Sequence, residues 1–146
     1  MDISHEIKVL SHLLRREFDS SEAKAYLESV TGSSGGVIGF IANADGDVFQ
    51  RDIEARFSIR RSTASRMVQE LEQKGILRRE SVPRDARLKK LVLTERGMNM
   101  HRYVTETLNA IDRKLTDGIP EDELTAFRLT LEKMRANLAD CKGPSK

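Results

Sequence analysis

A chain of 146 residues with 38% apolar side chains is long enough for one domain with appended helices and can bury a core. Its longest nearly uninterrupted apolar run, Val37 to Ala42, contains a glycine and is too short for a bilayer span; no basic-then-apolar leader opens the chain, so a cytoplasmic protein without membrane contact is expected. The net charge of +2 is segregated: residues 51–96 hold thirteen Lys/Arg against seven Asp/Glu, or +6, and the remainder twelve against sixteen, or −4, which gives the middle third a preferred face for polyanions.

From Ile3 to Phe18, the residues Ile3, Ile7, Leu10, Leu14 and Phe18 recur at helical spacing, with Val9 and Leu13 widening the stripe beyond what one partner would cover. Thr31 to Gly36 reads as a loop, followed by a short buried helix from Val37 to Ala44. The glycines are not a phosphate loop, because no Lys-Ser/Thr pair opens the following helix. A short helix from Gln50 to Phe57 and a turn at Ser58-Ile59 precede a second helix beginning near Arg60. At 100° per residue Ala64, Met67, Val68 and Leu71 form its packed side, and Ser62, Ser65, Arg66, Gln69 and Gln73 its outward side. Gly75 supplies a left-handed stop. Two strands, 77–82 and 89–93, flank a tip holding Pro83, Arg84, Asp85, Ala86 and Arg87.

Thr94 is placed to cap the next helix, whose apolar positions Met100, Val104, Leu108, Ile111 and Leu115 extend to Asp117-Gly118. The last helix opens with Pro120 and the acids Glu121, Asp122 and Glu123, which complement the positive end of the helix dipole. Leu124, Phe127, Leu131, Met134 and Leu138 then follow a strict 3,4,3,4 spacing, a seam for another helix. Seams at both chain ends imply a dimer through Ile7, Leu10, Leu14, Ile111, Leu115, Leu124, Phe127, Leu131, Met134 and Leu138.

An isolated helix-turn-helix pattern is a weak signal, but no acid interrupts the stretch from Arg60 to Gln69. Ser62 and Ser65 can approach phosphates or base edges, Arg66 and Gln69 have the geometry for bidentate base contacts, and Arg60 and Arg61 sit where phosphates would. Arg84 and Arg87 suit a narrow minor groove, with Asp85 orienting Arg87 through a charge-assisted hydrogen bond or bonding its own backbone as a turn residue.

Gln50-Arg51-Asp52-Ile53-Glu54, Arg61-Ser62-Thr63-Ala64-Ser65-Arg66, Leu71 to Arg79, Asp85-Ala86-Arg87 and Leu93-Thr94-Glu95-Arg96-Gly97 together resemble the winged-helix core of MarR-type transcriptional regulators, in order and spacing. The flanking helices are similar to the family plan over essentially the whole chain. The resemblance implies a mostly α fold with a small β-wing. It divides a single domain, 1–146, into dimerisation helices at 1–30 and 98–146 and a DNA-binding module at 33–97. It also implies an obligate homodimer on a pseudo-palindromic double-stranded operator, places Ser62, Thr63, Ser65 and Arg66 on the recognition helix, and puts Asp85 and Arg87 in the wing. A cleft for a small, often aromatic effector is implied too, with candidate lining from Leu10, Leu14, Phe40, Met100 and Tyr103. Two departures stand out. Arg60 occupies a position where the family often caps the recognition helix with Ser or Asp, which leaves Ser58 or water to do so; and Cys141 lies at the opposite end from the cysteine of the peroxide-sensing branch.

Other classes fit less well. His5 and His12 are seven residues apart, about 10 Å along a helix, too far to share a small metal ion unaided, and His101 stands alone. Cys141 is the single cysteine and has no resolving partner. No enzyme activity, metal or cofactor is expected. The function expected is a sequence-specific regulator, a repressor released by a small molecule; the alternatives are a winged-helix module that binds another protein, or a regulator without a ligand.

Overall fold

The computed structural model describes residues 2–139, so Cys141 lies outside the described residues. Seven α-helices and a two-stranded antiparallel sheet follow in the order α1 (Ile3–Asp19), α2 (Glu22–Thr31), α3 (Gly35–Asn43), α4 (Gln50–Phe57), α5 (Arg61–Gln73), β1 (Leu77–Val82), β2 (Asp85–Leu93), α6 (Glu95–Thr116) and α7 (Glu121–Ala139), with a single 3-10 turn at Gly32–Ser34 before α3. The chain forms two units, one ending at Asn109 and the other beginning at Ala110, the division falling within α6. No described helix is long and apolar enough to cross a membrane.

The core of the first unit is built by short elements that each contribute one or two large side chains. Val37 and Ile38 of α3, Ile53 of α4, Val68 and Leu71 of α5, and Ile76 and Leu77 at the start of the wing are all fully buried. Val48, Leu91, Leu93 and Met100 close the cluster. The helices are kept short by explicit stops. Ser58, in the left-handed region at φ 52°, ends α4 and turns the chain into α5. At the end of α5 the Gly75 N–H donates to the Glu72 carbonyl (3.0 Å) and the Ile76 N–H to the Leu71 carbonyl (2.9 Å), the paired bonds of a Schellman motif, which needs the positive φ (70°) that Gly75 adopts. The motif turns Ile76 back into the core beside Leu71.

Strands β1 and β2 pair from Leu77–Leu93 outward, with an irregularity at Ser81/Val82. A third segment joins at the base, where Val48 bridges to Leu91 and accepts a 2.7 Å bond from its N–H. Thr94 caps α6 as expected, its hydroxyl accepting from the Gly97 N–H at 3.2 Å and contacting the carbonyls of Gly75 and Ile76. Gly97 is required here because a Cβ would collide with the Ile76 carbonyl. One hydroxyl and one glycine therefore bind the start of α6 to the corner between recognition helix and wing.

One helix was not anticipated, and two local expectations need correction. A helix, α2, occupies 22–31, started by Ser21, whose hydroxyl accepts from the Lys24 N–H at 3.1 Å; Ala23, Leu27 and Val30 recur on one side of it, Ala23 buried and the other two packed against the core. The Thr31 to Gly36 stretch is not an open loop: it is a 3-10 turn running into α3, which begins at Gly35, because packing of Val37 and Ile38 overrides the low helix propensity of glycine. In the wing, β2 starts at Asp85, so the tip is only Pro83-Arg84, and Asp85, Ala86 and Arg87 belong to the strand.

Candidate nucleic-acid interface

Helix α5 divides as its periodicity predicts. Ala64, Met67, Val68 and Leu71 are buried; Arg61, Ser62, Arg66, Gln69 and Gln73 are exposed, and Thr63 and Ser65 half-buried. Burial of the first set fixes the rotation of the helix about its axis and thereby aims the second set away from the core. Arg60 is the residue before the helix and makes no side-chain cap, and Ser58 is spent on the turn. The expected cap from Ser58 is therefore not made. Among the described residues no side chain caps the start of α5, which leaves its first-turn N–H groups available to an external acceptor.

Cations of the module separate into two groups. Arg66 pairs with Glu70 (3.1 Å), Arg78 with Glu80 (2.8 Å), Arg79 with Glu72 (3.4 Å), and Lys90 with Asp47 (3.6 Å) and Glu80 (3.8 Å). Among the described residues, Arg51, Arg60, Arg61, Arg84 and Arg87 have no carboxylate within ion-pair distance. Arg56, Lys74, Lys89 and Arg96 are likewise without one among the described residues, so uncompensated charge is spread over the module, with Arg51, Arg60, Arg61, Arg84 and Arg87 at the starts of α4 and α5 and in the wing. The acid-free run from Arg60 to Gln69 is thus followed immediately by Glu70, one helical turn from Arg66, a neutralising contact that exposed-face counting had passed over.

The Asp85 carboxylate accepts the backbone N–H of Arg87 at 2.9 Å. Of the two roles considered for Asp85, the backbone bond is the one formed: it fixes the strand entering Arg87 and leaves the guanidinium exposed. Arg84 is arranged differently from the expectation of a freely reaching tip. Its guanidinium carbon lies 5.7 Å from the ring centre of Phe49, and that of Arg51 lies 5.0 Å from the same ring. Neither Phe49 nor Arg51 was among the expected site residues, since Phe49 and Arg84 are far apart in sequence and no local pattern joins them.

The residues considered for an effector cleft are not brought together. Met100 and Tyr103 line an open cleft of about 790 Å³ with Glu22, Tyr26, Glu95, Arg96 and Asn99, the two tyrosine rings meeting edge to face at 5.9 Å. Phe40 is engaged edge to face with Phe57 at 6.1 Å, and Leu10 and Leu14 do not line the cleft. Arg96 reaches from its rim to donate to the Lys74 carbonyl, at the end of α5, at 2.6 Å.

Among the expected dimer residues, Ile7, Leu10, Leu115, Phe127 and Leu138 are exposed, while Leu14, Ile111, Leu124, Leu131 and Met134 are half-buried.

Residues 29–88 match the model of the MarR family. Among solved structures, MepR, a transcription regulator of the Staphylococcus aureus multidrug efflux pump MepA, is 23% identical with a TM-score of 0.70, the match covering 94% of this chain and 99% of that one. A point variant of S. aureus MepR bound to an oligodeoxyribonucleotide is 23% identical with a TM-score of 0.63, covering 94% and 99%. The transcription regulator MarR from Oenococcus oeni PSU-1 is 29% identical with a TM-score of 0.57, covering 92% and 99%. The helices and two-stranded wing described above are those of the winged-helix fold these proteins share.

Proposed function

We propose that this chain, whose residues 29–88 match the model of the MarR family, acts as a homodimeric, sequence-specific repressor of transcription that occupies a pseudo-palindromic double-stranded operator in the cytoplasm. The observation that carries the reading is the outward face of α5, acid-free from Arg60 to Gln69 and uncapped at its start, beside a wing whose Arg84 and Arg87 have no carboxylate partner among the described residues. In this reading Arg66 and Gln69 contact base edges, Ser62, Thr63 and Ser65 contact bases or phosphates, Arg60 and Arg61 hold phosphates, and Arg87, set by Asp85, enters the minor groove. Segments 1–30 and 98–146 carry the dimer contacts and 33–97 the DNA-binding module. The exposed Ile7 and Leu10 of α1 and Phe127 and Leu138 of α7 are the apolar surface a second copy would cover.

Release by a small aromatic acid is the accompanying proposal, supported by the cleft that combines Tyr26 and Tyr103 with Arg96. Rings offer stacking partners, and a guanidinium offers a bidentate carboxylate contact. Screening such acids for release of bound DNA tests this part separately.

The central test is the salt dependence of duplex binding. A dimer contacting six to ten phosphates loses on the order of 10³ to 10⁵ in affinity between 50 and 200 mM salt. A flat response would remove the DNA reading and leave a protein-interaction module.

A further inference from the structure

We propose that Phe49, Arg51 and Arg84 form a clamp for a DNA backbone phosphate that joins the helix-turn-helix to the wing. The inference rests on the DNA-binding reading and reassigns Arg84 within it.

Phe49 is only 5% exposed and is held on both sides along the chain. Its own N–H donates to the Asp52 carboxylate at 2.8 Å, and its neighbour Val48 is bridged to Leu91 of β2. The ring is therefore a fixed platform set between α4 and the wing. Arg51 comes to it from the first turn of α4, Arg84 from the wing tip, and both side chains remain exposed. Each guanidinium is attracted by the electron-rich face of the ring, but two like charges drawn to one ring also repel each other. Elsewhere in the wing such repulsion is relieved by acids, as at Arg78, Arg79 and Lys90. Here, among the described residues, no carboxylate lies within ion-pair distance of either guanidinium, and the nearby Asp52 carboxylate accepts the Phe49 N–H instead.

A pair of oriented guanidiniums with uncompensated charge gains most from an anion that accepts several hydrogen bonds at once, and a phosphodiester does so. Because the ring has already restricted both side chains, less conformational entropy remains to be lost on binding. Arg84 is then a backbone contact without sequence information, and Arg87 alone remains to read the minor groove.

The test uses the full-length protein and fluorescein-labelled 24-base-pair duplexes of mixed, A·T-rich and G·C-rich sequence, with affinity followed by anisotropy across a potassium chloride series. Arg51→Gln and Arg84→Gln should each lower the slope of log affinity against log salt by about 1, equally on all three duplexes. Phe49→Leu should lower it as well although it removes no charge, because the arginines lose their platform. Thermal melts by circular dichroism show whether Phe49→Leu folds; if it does not, the two surface arginine variants decide. Unchanged slopes in both, against a steep wild-type slope, overturn the clamp and spare the DNA reading. So does a loss at Arg84→Gln confined to the A·T-rich duplex, which is the behaviour of a minor-groove reader. A flat wild-type slope overturns both.

Discussion

Helices α5 and α1 are both amphipathic, and the chain treats their apolar stripes in opposite ways. On α5 the stripe is consumed inside the first unit: Ala64 and Val68 have no exposure, and Leu71 has 1%. On α1 the helix has no buried residue, and Ile3 and Ile7 stay 60% and 45% exposed. Periodicity tells which face of a helix is apolar but not what covers it. The difference separates a helix whose orientation is set by its own fold from one whose exposed surface the proposed dimer would cover.

Substitutions in the two kinds of stripe should therefore act on different equilibria. Leu71→Ala removes a fully enclosed side chain and should cost about 2–5 kcal/mol of folding stability, read by denaturant melts against wild type at equal protein concentration, while leaving the association state unchanged. Leu131→Glu with Met134→Glu, on α7, should leave the secondary structure intact and abolish the dimer, because the carboxylates would be desolvated in the seam. Sedimentation at several concentrations checks this. A dimer that persists would show that the seam lies elsewhere, and dissociation of the folded Leu71→Ala dimer would erase the contrast.

A smaller effect isolates the stop that keeps α5 short. A Cβ at Gly75 would meet no atom within 4 Å, so Gly75→Ala introduces no clash and leaves only the strain of an L-residue at φ 70°. About 1–2 kcal/mol of destabilisation is expected, measured as a shift in the denaturant midpoint at constant slope. A loss of the size expected for Leu71→Ala would mean that the turn does more than reverse the chain.

How much of this was legible in the sequence follows the same division. The face of α5 and the Gly75 and Thr94 punctuation were readable because each depends on residues within a turn or two of one another. The length of the wing tip was not, because register is set by pairing of Val82 with Asp85 beyond an irregularity, which local composition does not encode. Helix α2 was legible in the helical spacing of Ala23, Leu27 and Val30 but is short and was passed over, whereas the Gly35–Gly36 start of α3 was hidden because tertiary packing outweighed propensity. The Phe49 platform was invisible for a different reason: its partners come from α4 and the wing tip, and no spacing rule links them.

The finest distinction concerns Arg66, the one candidate base-reading arginine that is internally paired. Its 3.1 Å contact with Glu70 joins exposed partners, with side chains 58% and 41% accessible, so the pair contributes only about 0.3–0.5 kcal/mol to the helix. On DNA the same pair is a hindrance. The guanidinium must leave Glu70 to make a bidentate base contact, and the carboxylate stays beside the phosphate backbone. Glu70→Gln should accordingly lower folding stability by no more than about 0.5 kcal/mol while tightening duplex binding. Arg66→Ala should weaken discrimination between operator and mismatched sites by roughly 1–3 kcal/mol. Melting and anisotropy on the same two variants read the opposed signs. If Glu70→Gln loosened DNA instead, the ion pair would be holding Arg66 in its reading position rather than competing for it.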